Sequence, residues 1–221
     1  MKRIKILFVL VLVLVLVLFL SACQDTAFTA DTMPWVGDEP VLFKDDFSDT
    51  LGNWTIHSDS LSFAGYEQSG FRLWADVPNY QFWSVPGLNF VDTLVHTRAL
   101  KLNGPDDNMF GILCRYQDEE NYYALVIGSD GYYGVFRTLA GEQVLIAQEH
   151  MDYSDAIHQG NETNEIQAVC QGEQLALIVN GTSLVQVQDD VLTHGDVGLI
   201  VGNFTEAGVD VLFDDFIVVK P

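Results

Sequence analysis

Positive charge is scarce in this chain: ten Lys and Arg stand against 31 Asp and Glu in 221 residues, a net charge of −21. Such a field repels phosphate backbones and anionic headgroups, which excludes nucleic acid as a partner. Neutral sugars, cationic partners and calcium stay compatible, and solubility alone is a sufficient second explanation. Metal-ligand spacing is missing too. His57, His96, His150, His158 and His194 are scattered, with no His-x-x-x-His pair of the kind that places two imidazoles on one helix face for zinc. Phosphate-loop and dinucleotide fingerprints are absent. Gly128-Ser129-Asp130-Gly131 has the residues of a turn, whereas a nucleophile elbow needs Gly-x-Ser-x-Gly between strand and helix. From Val41 onward no window carries apolar residues at helical spacing, which excludes an α or α/β fold.

Long apolar runs are confined to one place. Met1 to Lys5 is basic, Ile6 to Leu20 is uninterrupted apolar sequence, and Leu20-Ser21-Ala22-Cys23 follows. A basic n-region, an apolar stretch too short to span a bilayer comfortably and small residues before a cut have the layout of an export signal. Leu-Ser-Ala-Cys resembles the lipobox of bacterial lipoproteins, and that resemblance implies a signal over 1–22 and lipidation of Cys23. An uncleaved anchor with an incidental cysteine is the alternative. Two or more acyl chains on one residue hold a protein at a membrane stably, where a single chain does not. The expected location is the cell envelope, on the outer side of the cytoplasmic membrane or in the outer membrane. Removing residues 1–22 takes away three basic side chains and no acid, which leaves seven against 31, a net charge of −24. Residues 23–40 are polar, small and proline-bearing and read as a flexible tether.

Cysteine is nearly absent as well. Beyond Cys23 only Cys114 and Cys170 occur, and in an exported protein two remaining thiols tend to pair. Cys114 alternates with Ile112, and Cys170 with Ala168 and Ile166. Both therefore point at the core, and a disulfide forms if their strands are neighbours; two inert buried thiols are the alternative.

What the chain has in plenty is period-two alternation between turn signals, over residues 41–219. Phe110–Tyr116, Tyr122–Ile127 and Tyr132–Arg137 read as a three-stranded meander whose last turn is Gly128–Gly131. Asn180-Gly181 is a type I′ hairpin signal between Gln174–Val179 and Ser183–Gln188. Val41–Phe47 and Val209–Val219 are the terminal strands, Asp92–Leu102 is a long alternating strand, and Tyr80–Asn89 reads as a crossing loop. About a dozen strands in one domain predict an all-β, two-sheet antiparallel sandwich.

The succession FG-I-L-CRY, NYYALVI-GSDGYYG, GEQLAL-IVNG, HGDVGLIVG and a closing VLFDDFIV resembles the concanavalin A-like lectin/glucanase superfamily. More narrowly it is similar to laminin-G-like jelly rolls and to the domain of 3-keto-disaccharide hydrolases. The resemblance covers most of residues 41–219 and implies a jelly roll with a concave face for glycans. It does not choose between binding and hydrolysis, which share the scaffold. Glucanases of that superfamily carry catalytic carboxylates in a Glu-x-Asp-x-x-Glu pattern on one strand. That run is missing here, and Asp118-Glu119-Glu120 reads as a solvated turn.

For sugar binding, aromatic rings stack on pyranose faces and planar polar groups bond hydroxyls. With Ile112 and Cys114 inward, Leu113 and Arg115 should face outward. The expected ligand-binding residues are Arg115 as donor and Tyr122, Tyr132 and Trp83 as platforms. Asp45-Asp46-Phe47 and Asp214-Asp215-Phe216 lie on terminal strands that jelly rolls place side by side. Four gathered carboxylates suit a structural calcium, with Asp46 and Asp215 as its expected ligands; capping of backbone groups is the alternative. The functional expectation is a membrane-anchored, non-catalytic carbohydrate-binding domain. Its competitors are a glycoside hydrolase of the 3-keto-disaccharide type and a protein-binding adhesion module.

Overall fold

The computed structural model of the chain describes residues 40–221. The signal expected over 1–22, the expected lipidation site Cys23 and all but the last residue of the tether lie outside the described residues. The alternating stretches form β1 (Val41–Asp45), β2 (His57–Ser58), β3 (Ser62–Glu67), β4 (Gly70–Ala75), β5 (Tyr80–Ser84), β6 (Thr93–Asn103), β7 (Asn108–Asp118) and β8 (Asn121–Ile127). They continue as β9 (Tyr132–Leu139), β10 (Glu142–Leu145), β11 (Asp152–Tyr153), β12 (Thr163–Gln171), β13 (Gln174–Val179), β14 (Thr182–Gln188), β15 (Asp196–Asn203) and β16 (Val209–Val219). No helix occurs among the described residues.

These strands build two sheets. One runs β14-β13-β12-β6-β16-β4-β3-β2, with β1 also on β16; the other runs β10-β9-β8-β7-β15-β5, with β11 on β9. All strand pairs are antiparallel. The chain crosses between sheets at β4–β5, β5–β6, β6–β7, β11–β12, β14–β15 and β15–β16, the alternation of a jelly roll. The domain is thus the all-β sandwich that the alternation predicts.

The two inner faces meet in one core. Val95 and Ala99 of β6, Ile112 of β7, Leu125 and Ile127 of β8, Ile166 and Ala168 of β12, and Phe213 and Val218 of β16 are completely buried in it. Cys114 and Cys170 form a disulfide with Cα atoms 6.7 Å apart. Their strands belong to opposite sheets, so the bond staples the layers face to face rather than joining neighbours within one sheet. Closing 56 residues of chain this way is worth about 3–5 kcal/mol on the chain-entropy account. Asn180 and Gly181, at φ of 50° and 79°, supply the two positive values a type I′ hairpin requires.

Three expectations need correction. Tyr80–Asn89 is not wholly a loop: Tyr80–Ser84 is β5, an edge strand held by β15 from Tyr80↔Asn203 to Ser84↔Leu199. Pro78 and Pro86 bracket a segment so short that its pairing is decided by the partner strand. The second correction is to the outer face of the β7–β8–β9 meander, where Leu113 is expected to face outward. Met109, Leu113, Tyr122, Ala124, Val126 and Ile200 form a second buried apolar cluster there, ringed by Trp83, Tyr116, Phe136 and Phe204. The third concerns Arg115, which does not face outward.

Candidate functional site

The fate of Arg115 shows how the site is made. Arg115 sits at φ +51°, and the β7–β15 register shifts by one residue between Leu113 and Tyr116. A β-bulge of this kind adds one residue to one strand and breaks the alternation. Arg115 is therefore turned toward the interior, with 2% of its surface exposed. Its guanidinium donates to the carbonyls of Leu192 (2.8 Å), Gly172 (2.7 Å) and Val91 (3.4 Å), and Asp92 is 3.7 Å away. Burial lowers its pKa. No donor capacity is presented to a ligand, so Arg115 is a structural clasp and not the sugar donor the alternation implied. The same bulge gives Tyr116 the outward position.

Tyr122, only 3% exposed, is not the open platform expected of it; it and Trp83 lie beside Tyr116. The Tyr116 ring stacks on Tyr122 at 6.0 Å and 29°, and Trp83 lies 6.3 Å from Tyr116 and 5.5 Å from Tyr122. Trp83 stands three strands from Tyr122 in the sheet, and glycine makes the approach feasible. Gly198 and Gly202 share the outer face of β15 with Ile200 because side chains alternate along a strand. A Cβ on Gly202 would meet Met109 Cε at 2.9 Å and Gln81 Cγ at 3.3 Å; one on Gly198 would meet Ser84 O at 2.5 Å. Both keep the floor low enough for Gln81 and Trp83 to lie across it. Burial raises the pKa of Tyr116 and of Tyr122, so both hydroxyls stay protonated donors at neutral pH.

Polar groups rim this aromatic floor. The Tyr122 hydroxyl donates to Gln81 Oε1 at 3.1 Å. Gln81 and Gln143 exchange amide hydrogen bonds of 2.7 and 3.1 Å, and Gln143 Nε2 also donates to Thr138 Oγ1. Two cavities open here. One of about 470 Å³ is lined by Asn79, Gln81, Trp83, Tyr122, Gln143 and Asn203 among others. One of about 530 Å³ adds Thr55, His57 and Tyr116. Tyr80, Gln81, Trp83 and Glu119 line both. Neither contains Lys or Arg among its described lining residues. Among the described residues Glu119 is the one carboxylate on either wall, while Asp118 Oδ1 accepts from Glu120 N and Asn121 Nδ2 within the turn.

The other expected residues lie apart. Tyr132 is 44% exposed, packs edge-on against Tyr153 at 5.7 Å, and lines a third cavity of about 300 Å³ with Asp130, Met151 and Phe204. As foreseen, β1 and β16 are neighbours, with Asp45 opposite Phe216. Their carboxylates are nonetheless directed to separate partners. Asp45 accepts from Phe47 N, Trp54 Nε1 and Tyr66 OH, and Asp46 accepts from Ser48 N. Arg98 bonds Asp214 at 2.6 Å and Asp215 at 2.7 Å. Among the described residues no group of three or more His, Cys, Asp or Glu is arranged to hold a metal ion. The calcium cluster expected around Asp46 and Asp215 is therefore not assembled.

Sequence reasoning named Trp83 and Tyr122 but missed Tyr116, Gln81, Gln143 and Glu119. Tyr116 would have emerged only by locating the bulge. The two glutamines come from edge strands far apart in sequence.

No family model matches the sequence, and no curated protein matches it. Solved structures do. A carbohydrate binding module, CBM66, from Bacillus subtilis superposes with TM-score 0.61 at 13% identity, over 76% of this chain and 96% of that one. A protein of unknown function with a galectin-like fold, also from Bacillus subtilis, gives 0.60 at 12%, over 82% and 97%. A xylan beta-1,4-xylosidase from Bacillus halodurans C-125 gives 0.59 at 14%, over 86% of this chain but only 41% of that one. With the two-sheet topology described above, these likenesses show the fold, an all-β jelly-roll sandwich.

Proposed function

We propose that residues 41–219 are a non-catalytic carbohydrate-binding module, presented outside the cytoplasm by lipid on Cys23. The observation that carries the reading is the floor of Trp83 and Tyr116, packed on the buried Tyr122, beneath a rim of Gln81 and Gln143. Rings offer stacking surface to the C–H faces of a sugar, and planar amides donate to and accept from its hydroxyls. Walls without Lys or Arg and a strongly acidic chain favour neutral ligands over phosphorylated ones. The neighbour described as a carbohydrate binding module adds weight to this choice. Binding without hydrolysis is favoured because glycoside cleavage needs two carboxylates flanking the bond, and among the described residues Glu119 has no second carboxylate beside it on either wall.

Calorimetric titration with neutral oligosaccharides tests the module. Binding that is lost in Trp83→Ala, with no reducing ends released on long incubation, supports it; cleavage abolished by Glu119→Gln would replace it with the hydrolase reading. Labelling with radioactive palmitate in a bacterial host tests the anchor. Label on the wild type and none on Cys23→Ala is the expected result.

A further inference from the structure

We infer that the binding face takes a chain of three or more neutral sugar units lying along it, rather than a single terminal sugar. The inference rests on the carbohydrate reading just given and concerns the extent of the site. The two cavities over the aromatic floor are contiguous, because Tyr80, Gln81, Trp83 and Glu119 form walls of both. The third cavity adjoins this pair through Phe204, which lines both it and the 470 Å³ cavity. Three compartments of about 530, 470 and 300 Å³ thus succeed one another.

Each compartment has an accessible aromatic wall. Tyr116 serves the first, Trp83 and Tyr80, shared with the first, line the second, and Tyr132, unused by the site so far, serves the third. Trp83 stands between the first two and Phe204 between the last two. Successive rings along one face are the arrangement by which a chain of stacking units is held, each adding an increment of affinity. The far compartment also sets the chemistry of its unit. Asp107 and Asp130 line it, and among the described residues His150 is its one side chain able to carry positive charge. Carboxylates there accept sugar hydroxyls and repel a carboxylated sugar, so the ligand class is a neutral oligosaccharide and not a uronic-acid polymer.

The test measures affinity against chain length for cello-, xylo- and fructo-oligosaccharides from two to six units, by calorimetry on the soluble domain and on its Tyr132→Ala variant. Tyr132 is exposed enough that its truncation leaves the fold intact, which a thermal melt verifies. The expected result, in at least one series, is affinity that climbs about three- to tenfold between two and four units. In Tyr132→Ala that climb disappears while disaccharide affinity is unchanged. Equal affinity for two and four units overturns the inference and leaves the carbohydrate module standing. So does a Tyr132→Ala variant that weakens short and long chains alike. Failure of all three series to bind overturns the module and the inference together.

Discussion

Gln81 and Gln143 are hydrogen-bonded to each other although β5 and β10 are the two edges of one sheet. Five inter-strand steps of roughly 4.8 Å would separate those edges by about 24 Å in a flat sheet, far beyond the reach of two glutamine side chains. The sheet therefore curls, and the amide pair closes a strap across its concave face. Under that strap lie the Trp83, Tyr116 and Tyr122 rings.

Because both glutamines are partly solvated, their loss affects binding more than folding. Gln81→Ala should lower stability by less than about 1 kcal/mol while weakening oligosaccharide binding severalfold. Urea melts and calorimetric titration of the same variant separate the two effects.

Gly198 answers the opposite question. A Cβ there would stand 2.5 Å from Ser84 O and 2.7 Å from Val85 Cγ1, so β5 must shift outward and carry Trp83 with it. Gly198→Ala should cost about 1–3 kcal/mol of stability and reduce glycan affinity without touching any ligand atom. Retention of full affinity in a destabilised variant would show that the position of β5 does not matter to the site.

For Arg115 the expectation is a loss of stability alone. Arg115→Met leaves the carbonyls of Leu192, Gly172 and Val91 without their donor, which should cost about 2–4 kcal/mol in chemical denaturation. Glycan affinity, measured well below the melting temperature, should not change.

The staple between the layers can be removed without mutation. Reducing the Cys114–Cys170 bond should lower stability by about 2–5 kcal/mol, visible as a lower melting temperature in reductant. Cys170→Ala should reproduce that lower value and be insensitive to reductant.

Acid should weaken the fold partly through His96, whose pKa is lowered to about 4 by burial, against a smaller opposing influence from Asp215 and a reinforcing one from Arg98. The unfolded chain takes up a proton near pH 6.5 and the folded one only near pH 4. Between those values the unfolded state binds more protons, so stability falls as pH drops from about 6.5 to 4, by roughly 2–3 kcal/mol from this group. His96→Gln should show a correspondingly shallower decline over the same window in pH-dependent urea melts.

Period-two alternation and turn chemistry determined the sandwich from sequence alone, because residues such as Val95, Ile112 and Ile166 can be buried on one face only if every second neighbour joins them. Asn180-Gly181 fixed its hairpin for an equally local reason, and the inward aim of Cys114 and Cys170 followed from the same alternation. What the tertiary structure alone decided is everything that depends on a break in that alternation or on contact between distant strands. The bulge at Arg115 exchanged an expected sugar donor for a buried clasp and set Tyr116, half-buried, on the outer face. Asp46 and Asp215 found separate partners because neighbouring strands do not dictate where their carboxylates point. The curl that joins Gln81 to Gln143 is a property of the whole sheet, in which twist accumulates strand by strand, and no single stretch of the chain records it.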